Sequence, residues 1–271
     1  MNLIKIDQSL CIKCGICTKV CPTGALCMKE NGPQENDSNP CIACGQCVAV
    51  CPHGAIDNVK TPLSNQVDIK NSSAINSETA KQFLRSRRSI RCYKDTPVPK
   101  EKLSKLVDIA RFAPTASNSQ GISYIIVKDK KTLERATKVT MEWMEQQLDN
   151  PSHWSFKMHV HNYRKTGIDT ILRNAPHLIL AIAPRDFKNG RENTIFSFSY
   201  LELFATTLGL GSCFAGLFEM CAFSNYYPLL ELFNIPTNKV ITGAVMVGYP
   251  KYKYKRLVDR NPINVTYLNH V

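Results

Sequence analysis

Twelve of the chain's 271 residues are cysteine, and eight of them repeat one spacing twice. Cys11, Cys14, Cys17 and Cys21, followed by Pro22, form a Cys-x2-Cys-x2-Cys-x3-Cys-Pro run. Cys41, Cys44, Cys47 and Cys51, followed by Pro52, form a second. From Cys11/Cys41 to Leu26/Ile56, ten of sixteen aligned positions are identical. Cysteines so spaced bind metal or pair as disulfides. A zinc ribbon needs two Cys-x2-Cys pairs making one tetrahedral site, which leaves the third and fourth cysteines of each run without a use. A disulfide framework requires an oxidising compartment. The chain opens Met1-Asn2-Leu3-Ile4-Lys5 with no apolar signal core, and its first candidate ligand is already at residue 11. No apolar run approaches the eighteen or so residues of a membrane span; residues 178–183 are far too short. The expectation is a cytoplasmic protein without a membrane partner.

The doubled run resembles that of bacterial two-cluster ferredoxins, in which three thiolates of one run hold a [4Fe-4S] cubane and the fourth reaches across to the other. The resemblance implies one cluster on Cys11, Cys14, Cys17 and Cys51 and another on Cys41, Cys44, Cys47 and Cys21. Gly15 and Gly45 let the backbone fold tightly between ligands and turn its amides toward sulfur. Pro22 and Pro52 stop the chain continuing as helix. Such clusters exchange electrons one at a time. Cys27, Cys92, Cys213 and Cys221 share no ligand spacing and are expected to be small buried hydrophobes.

The elements that must position these groups fall into two blocks. Thr61, Pro62, Ser64, Asn65, Asn71, Ser72, Ser73, Asn76 and Ser77 make a polar stretch with few apolar anchors, the composition of a linker. The expected organisation is a domain over residues 1–60, too small for a large core but stapled by clusters. A linker over 61–79 and one ordinary domain over 80–271 follow. Ser77-Glu78 reads as a helix start, with a capping hydroxyl and an acid in the first turn. Apolar periodicity predicts helices over 99–112, 130–148 and 194–208, the last largely buried, and strands over 122–127, 177–183 and 240–247. Strands alternating with helices make an α/β or α+β sandwich.

Three segments of the second block carry more than packing. Arg87-Arg88-Ser89-Ile90-Arg91 sets three cations and a hydroxyl together, a solvated face or a grip on phosphate through guanidinium forks. Ala113-Pro114-Thr115-Ala116-Ser117-Asn118-Ser119-Gln120 is a loop of short side chains between a helix and a strand. Residues 209–218 begin Gly-Leu-Gly-Ser-Cys, where a backbone can approach a flat ligand closely. With Gly248-Tyr249-Pro250 and a basic tail behind them, these segments in this order resemble the FMN-dependent nitroreductase family from Ala80 onward.

The resemblance implies an α+β chain, in which a small two-cluster ferredoxin-like domain precedes a three-layer nitroreductase-type sandwich with a central, mostly antiparallel sheet flanked by helices. Arg87, Arg88, Ser89 and Arg91 match flavin phosphate and ribityl contacts. Pro114, Thr115, Ala116 and Asn118 match a loop that reaches the flavin from the other subunit of a homodimer. Ala215, Gly216 and Leu217 fall where backbone amides approach the redox edge of the flavin ring. Arg260 matches a C-terminal phosphate-binding arginine, although its usual basic neighbour is here Val258; Lys253, Lys255 or Arg256 can substitute. Gly209-Leu210-Gly211 lacks the third glycine and acidic partner of a dinucleotide fingerprint, which leaves NAD(P)H open as a donor, since nicotinamide stacks directly on flavin in this family. No side chain need be a nucleophile, because the flavin ring is the reactive centre. His153, His159 and His161 are read as loop histidines and assigned no metal. Trp143, Trp154, Phe156 and Phe214 are open equally to substrate lining and to core packing.

The formal net charge is +12, which two oxidised clusters at −2 each bring to about +8; a flavin phosphate lowers it further. A basic surface suits an acidic electron carrier. Lys251-Tyr252-Lys253-Tyr254-Lys255-Arg256 interleaves cations with aromatics, but no nucleic-acid module accompanies it, so nucleic acid is not an expected partner. The expected partners are a low-potential electron donor (a ferredoxin- or flavodoxin-like protein, or NAD(P)H) and a small-molecule acceptor such as a nitroaromatic, quinone or activated alkene. A pure electron-transfer flavo-iron-sulfur protein, serving a protein partner, is the alternative reading.

Overall fold

The computed structural model describes residues 3–36, 38–69 and 74–268; residues 70–73 of the expected linker lie outside them. The chain divides into two compact units, Met1–Ala74 with Thr115–Gln120, and Ile75–Pro114 with Gly121–Val271. The loop carrying Thr115, Ala116 and Asn118 thus belongs to the first unit.

The first unit is the sequence duplication expressed in backbone. β1 (Ile4–Ile6) leads to the first cysteine run, α1 (Ile16–Lys19) and β2 (Leu26–Lys29); β3 (Gly32–Glu35) leads to the second run, α2 (Gln46–Ala49) and β4 (Ile56–Asn58). β1 pairs antiparallel with β4, from Ile4↔Asn58 to Ile6↔Ile56. β2 forms a hairpin with β3, from Leu26↔Glu35 to Lys29↔Gly32. The core is small: Ile4, Leu26, Val48 and Ile56, with Cys17 and Cys47 among them.

The second unit opens with α3 (Ser77–Ser86), capped by Asn76, whose Oδ1 accepts from Thr79 N at 2.8 Å. The cap is therefore one residue before the predicted Ser77, which is already helical. There follow α4 (Lys100–Ala110), β5 (Ser123–Val127), α5 (Lys130–Glu145), α6 (Phe156–Thr166), β6 (His177–Pro184), α7 (Gly190–Thr207), β7 (Gly211–Phe214), α8 (Gly216–Phe223), α9 (Tyr227–Leu232) and β8 (Lys239–Gly248). The four strands make one antiparallel sheet in the order β5-β6-β8-β7. Alternation along β6 and β8 feeds two cores. Leu178, Leu180, Ile182, Ala244 and Met246 pack with α5, α6, α8 and α9, while Ile179, Ala181, Val245 and Val247 pack with α4 and α7. Helices on both faces of the sheet make three layers.

Several expectations shift. α7 starts four residues earlier than predicted and exposes Ile195, Phe196 and Tyr200, because its apolar residues lie on more than one side while Asn193, Thr194, Ser197 and Glu202 share the buried face with Phe198, Leu201 and Ala205. β7, α6, α8 and α9 were not anticipated. His159 and His161 lie on α6 rather than in a loop. Cys213 and Cys221 are buried, and burial pushes the Cys221 thiol up to about 12. Cys92 is exposed and Cys27 half-buried, so neither is the buried hydrophobe expected. Among the described residues no helix is long and apolar enough to cross a membrane.

Candidate functional site

In the first unit two cavities each gather four cysteines. One is lined by Cys11, Cys14, Cys17 and Cys51 with Ile12, Ile16 and Pro33. The other is lined by Cys21, Cys41, Cys44 and Cys47 with Ile4, Ile42 and Asn58. Each takes three cysteines from one run and the last from the other. The backbone that places them repeats closely: Lys13 and Ala43 are left-handed at φ 57° and 53°, and Gly15 and Gly45 at 73° and 72°. Gly15 and Gly45 are the N-caps of α1 and α2, so each helix starts from a conformation that glycine adopts at little cost. Cys17 and Cys47 follow one residue inside each helix and point inward.

Donors surround the sulfurs. Ala43 N–H donates to Cys41 Sγ at 3.4 Å and Ala55 N–H to Cys51 Sγ at 3.3 Å. Asn58 Nδ2 reaches Cys41 Sγ at 3.7 Å. Burial pushes the Cys47 thiol up to about 11, and the charges of Cys41, Cys44 and Cys21 push the same way. Burial likewise raises Cys17, with Cys14 and Cys11 adding. Four cysteines gathered in a half-buried shell suit a cationic core that binds them as thiolates. Among the described residues, no three His, Cys, Asp or Glu stand close enough to hold a single metal ion. Each cavity nevertheless gathers four cysteines, the ligand number of a [4Fe-4S] cluster.

In the second unit, residues 89–94 lie against the ends of β7 and β8. Ile90 N–H donates to Ser212 O at 2.9 Å, Lys94 N–H to Tyr249 O at 2.9 Å, and Lys251 N–H to Cys92 O at 3.0 Å. Three of the motifs singled out in the sequence thus meet: the arginine cluster, Gly-Leu-Gly-Ser-Cys and Gly248-Tyr249-Pro250. Arg87 Nη1 lies 3.6 Å from Glu202 Oε2. Glu202, 5 % exposed on α7, also accepts from Ser212 Oγ at 3.0 Å. Burial raises the Glu202 pKa, against the lowering by Arg87 and Ser212. The buried Cys213 thiol donates to Phe214 O at 3.4 Å, and Arg91 Nη1 donates to Ser89 O at 3.4 Å. Arg88 Nη1 donates to the carbonyls of Arg85 and Arg87, at 2.8 and 2.7 Å, closing the end of α3. Its Nη2 reaches Val258 O at 3.5 Å, and its Nε is buried without a partner. Arg260 is exposed on the C-terminal segment.

The start of α8 is held rigidly. Ala215 N–H donates to Ala244 O at 2.9 Å, and Ala244 N–H donates to Glu219 Oε1 at 2.9 Å. Arg191 grips Glu219 with both nitrogens, at 3.0 and 2.9 Å. The Ala215 amide is therefore committed to the sheet, whereas those of Gly216 and Leu217 open the helix with no intrahelical acceptor. A Cβ built on Gly216 meets nothing within 4 Å. A helix start with no intrahelical acceptor for its first amides, and a cluster of cations that includes the unpartnered Arg88 Nε, are features that suit an anionic, flat cofactor.

Residues 84–249 match the Nitroreductase family and residues 3–52 match a 4Fe-4S dicluster domain. The chain belongs to the nitroreductase family. It is a fusion of an N-terminal 4Fe-4S dicluster domain with a nitroreductase domain, and it is an oxidoreductase. A provisionally named NADH dehydrogenase/NAD(P)H nitroreductase of Archaeoglobus fulgidus is 28 % identical over 174 residues, covering 64 % of this chain and 87 % of that protein. The iodotyrosine deiodinase of Thermotoga neapolitana is 26 % identical over 177 residues, covering 64 % and 91 %. A nitroreductase structure with bound FMN from Desulfitobacterium hafniense DCB-2 shares the fold, with a TM-score of 0.58 at 18 % identity over 72 % of this chain and all of that one.

Within this nitroreductase-family unit Trp143 and Phe156 are core residues in edge contact with each other, Phe214 is half-buried against the α7 core and Trp154 is exposed. His153 and His159 hydrogen-bond Ser155 and Thr170. Sequence reasoning missed Glu202 and Asn58. Glu202 had a signal, being the only charge in residues 194–208 of an otherwise apolar helix. Asn58 had none, since its reach to Cys41 depends on β4 pairing with β1.

Proposed function

We propose that this chain is an FMN-dependent reductase fed through two [4Fe-4S] clusters, which reduces a small organic acceptor such as a nitroaromatic, a quinone or an activated alkene. The observation that carries the reading is the presence, in one chain, of two four-cysteine cavities and of bare α8 amides opening a nitroreductase-family site. When bound, the clusters supply electrons singly and FMN delivers them in pairs.

The chain's own residues hold and orient these groups. Cys11, Cys14, Cys17 and Cys51 take one cluster, and Cys41, Cys44, Cys47 and Cys21 the other. Arg87, Ser89 and Arg91, with Arg88 and the C-terminal Arg260, neutralise and anchor the flavin phosphate. Glu202 keeps Arg87 aimed. Gly216 and Leu217, next to Ala215, present amides to the ring edge, and Pro114, Thr115, Ala116 and Asn118 form the loop assigned to the flavin of a second copy. Asn118 does so through its backbone, since its side-chain amide is bonded to Ile42, Ala43 and Gln120. The domains run over 1–60 and 80–271, with a linker at 61–79. A homodimer is supported by apolar surface on this chain. Ile195, Phe196 and Tyr200 stand exposed along α7, and Ile263, Tyr267 and Leu268 are more than 80 % exposed on the tail; a second copy covers them. The donor is a ferredoxin- or flavodoxin-like protein or NAD(P)H.

Anaerobically purified protein is expected to carry about eight iron and eight sulfide per chain and to release FMN on denaturation. Zinc in place of iron sinks the cluster assignment. Stopped-flow mixing of the reduced protein with nitroaromatics, quinones and enones is expected to reoxidise the flavin. Reoxidation by a protein partner but by no small acceptor overturns the reductase reading in favour of pure electron transfer.

A further inference from the structure

The two cysteine runs are near-copies in sequence and backbone, yet among the described residues only the second receives a side-chain donor on the carbonyls between its first two cysteines. Asn118, in the Thr115–Gln120 segment of the first unit, donates through Nδ2 to the carbonyls of Ile42 and Ala43, both at 3.0 Å. Its Oδ1 accepts from Gln120 Nε2 at 3.0 Å, which fixes the end of the amide that faces the run. The Ile42 carbonyl and the Ala43 N–H belong to the same peptide unit, and that N–H donates to Cys41 Sγ. A donor on a peptide oxygen draws charge through the amide and makes its N–H a stronger donor, so the two bonds reinforce each other. Ala43 is also left-handed, a backbone unfavourable for an alanine, and the bond to its carbonyl helps hold the turn. Its counterpart Lys13 is left-handed too, but among the described residues no side chain donates to the Ile12 or Lys13 carbonyl.

Hydrogen bonds to ligand sulfur stabilise the reduced, more negative form of an iron–sulfur cluster. We infer that Asn118 is a positioning residue which, through the Ile42–Ala43 peptide, raises the reduction potential of the cluster held by Cys21, Cys41, Cys44 and Cys47 above that of its near-copy. The inference rests on the two-cluster reading. Asn58, reaching the same Cys41 sulfur, acts in the same direction. Each cluster is a one-electron couple, so an electron entering the first unit settles on the cluster whose run Asn118 clamps.

The test uses holoprotein carrying Asn118→Gly or Asn118→Asp. Asn118 is itself left-handed at φ 52°, a conformation both replacements tolerate, and both remove the two donated bonds. In potentiometric titrations followed by electron paramagnetic resonance, the unsubstituted protein is expected to show two distinct one-electron couples. In both variants the higher couple is expected to move to more negative potential while the lower stays in place, and the Ala43 amide to exchange faster with solvent. If the Gly variant loses iron, the Asp variant decides through Ala43 amide exchange, because its added charge lowers the potential by itself. Full iron content with neither couple moved, or with both moved together, overturns the role of Asn118. Absence of two couples in the unsubstituted protein overturns the two-cluster reading instead.

Discussion

His177 and Glu202 are buried acid–base groups whose neighbours decide their charge, and each yields a separate prediction. His177 is 3 % exposed, and its Nε2 accepts the Val98 N–H at 2.8 Å, so the ring is neutral with its proton on Nδ1. Burial, with Lys128 adding to it, holds its pKa below the usual 6.5. As pH falls, the unfolded ring takes up a proton before the folded ring does. The stability it contributes is thus complete above about pH 6.5 and is lost as pH falls through the folded pKa. The urea midpoint is expected to drop between about pH 7 and about pH 5, and His177→Gln to flatten that slope; equal slopes in the two proteins would show that His177 has no part in it. Glu202 has the opposite bias, its pKa raised by burial in spite of Arg87. The folded protein therefore carries that charge at a net cost. Glu202→Gln is expected to leave stability within about 1 kcal/mol of the parent while weakening FMN retention roughly tenfold, ~1.4 kcal/mol, because Arg87 loses the group that aims it. Denaturant midpoints and flavin titration read the two effects separately.

At the level of elements, what was legible depended on how local the cause is. α5 shows its burial pattern in one stretch, with Leu133, Ala136, Val139, Thr140, Trp143 and Met144 on one side and Asp129 capping the start. β6 and β8 are continuous apolar runs. β7 is four residues of Gly-Ser-Cys-Phe that become a strand only through pairing with β8, some thirty residues on, and nothing local announces it. The apolar residues of α7 lie on more than one side, so they signal a helix without saying which side meets the sheet. The cysteine spacing was legible because ligation is written in short range, whereas Glu202 meets Arg87 across more than a hundred residues. Two glycines at the ends of β7 and α8 test this arrangement. A Cβ on Gly211 collides with the Ile90 side chain, while one on Gly216 meets open space. Gly211→Ala is expected to cost about 1–3 kcal/mol by overpacking, measured as a lowered melting point. Gly216→Ala is expected to leave the melting point unchanged and to lower FMN affinity, since its methyl enters the space before the free amides. Equal FMN affinity in Gly216→Ala and parent would remove the α8 start from the flavin site.

Across the whole molecule, the two units rest on different sources of stability. The second has two apolar cores on either side of a four-stranded sheet, enough to fold on burial alone. The first has four aliphatic residues and two cysteines in its core, helices of four residues and strands of three or four. A core of that size does not outweigh the chain entropy of some seventy residues. Burial, with neighbouring cysteines adding to it, raises the Cys47 and Cys17 thiols within that small core. Metal binding is then folding free energy for this unit. Removing iron with a chelator under reducing conditions is expected to unfold the first unit and leave the second standing. The reporters separate cleanly, because both tryptophans, Trp143 and Trp154, lie in the second unit while the cluster absorbance belongs to the first. Chelation should abolish the visible absorbance and expose residues 3–69 to protease, with the tryptophan emission and its thermal midpoint unmoved. A protease-resistant first unit after complete iron loss would mean that its small apolar core suffices, and that the cysteine runs serve electron transfer alone.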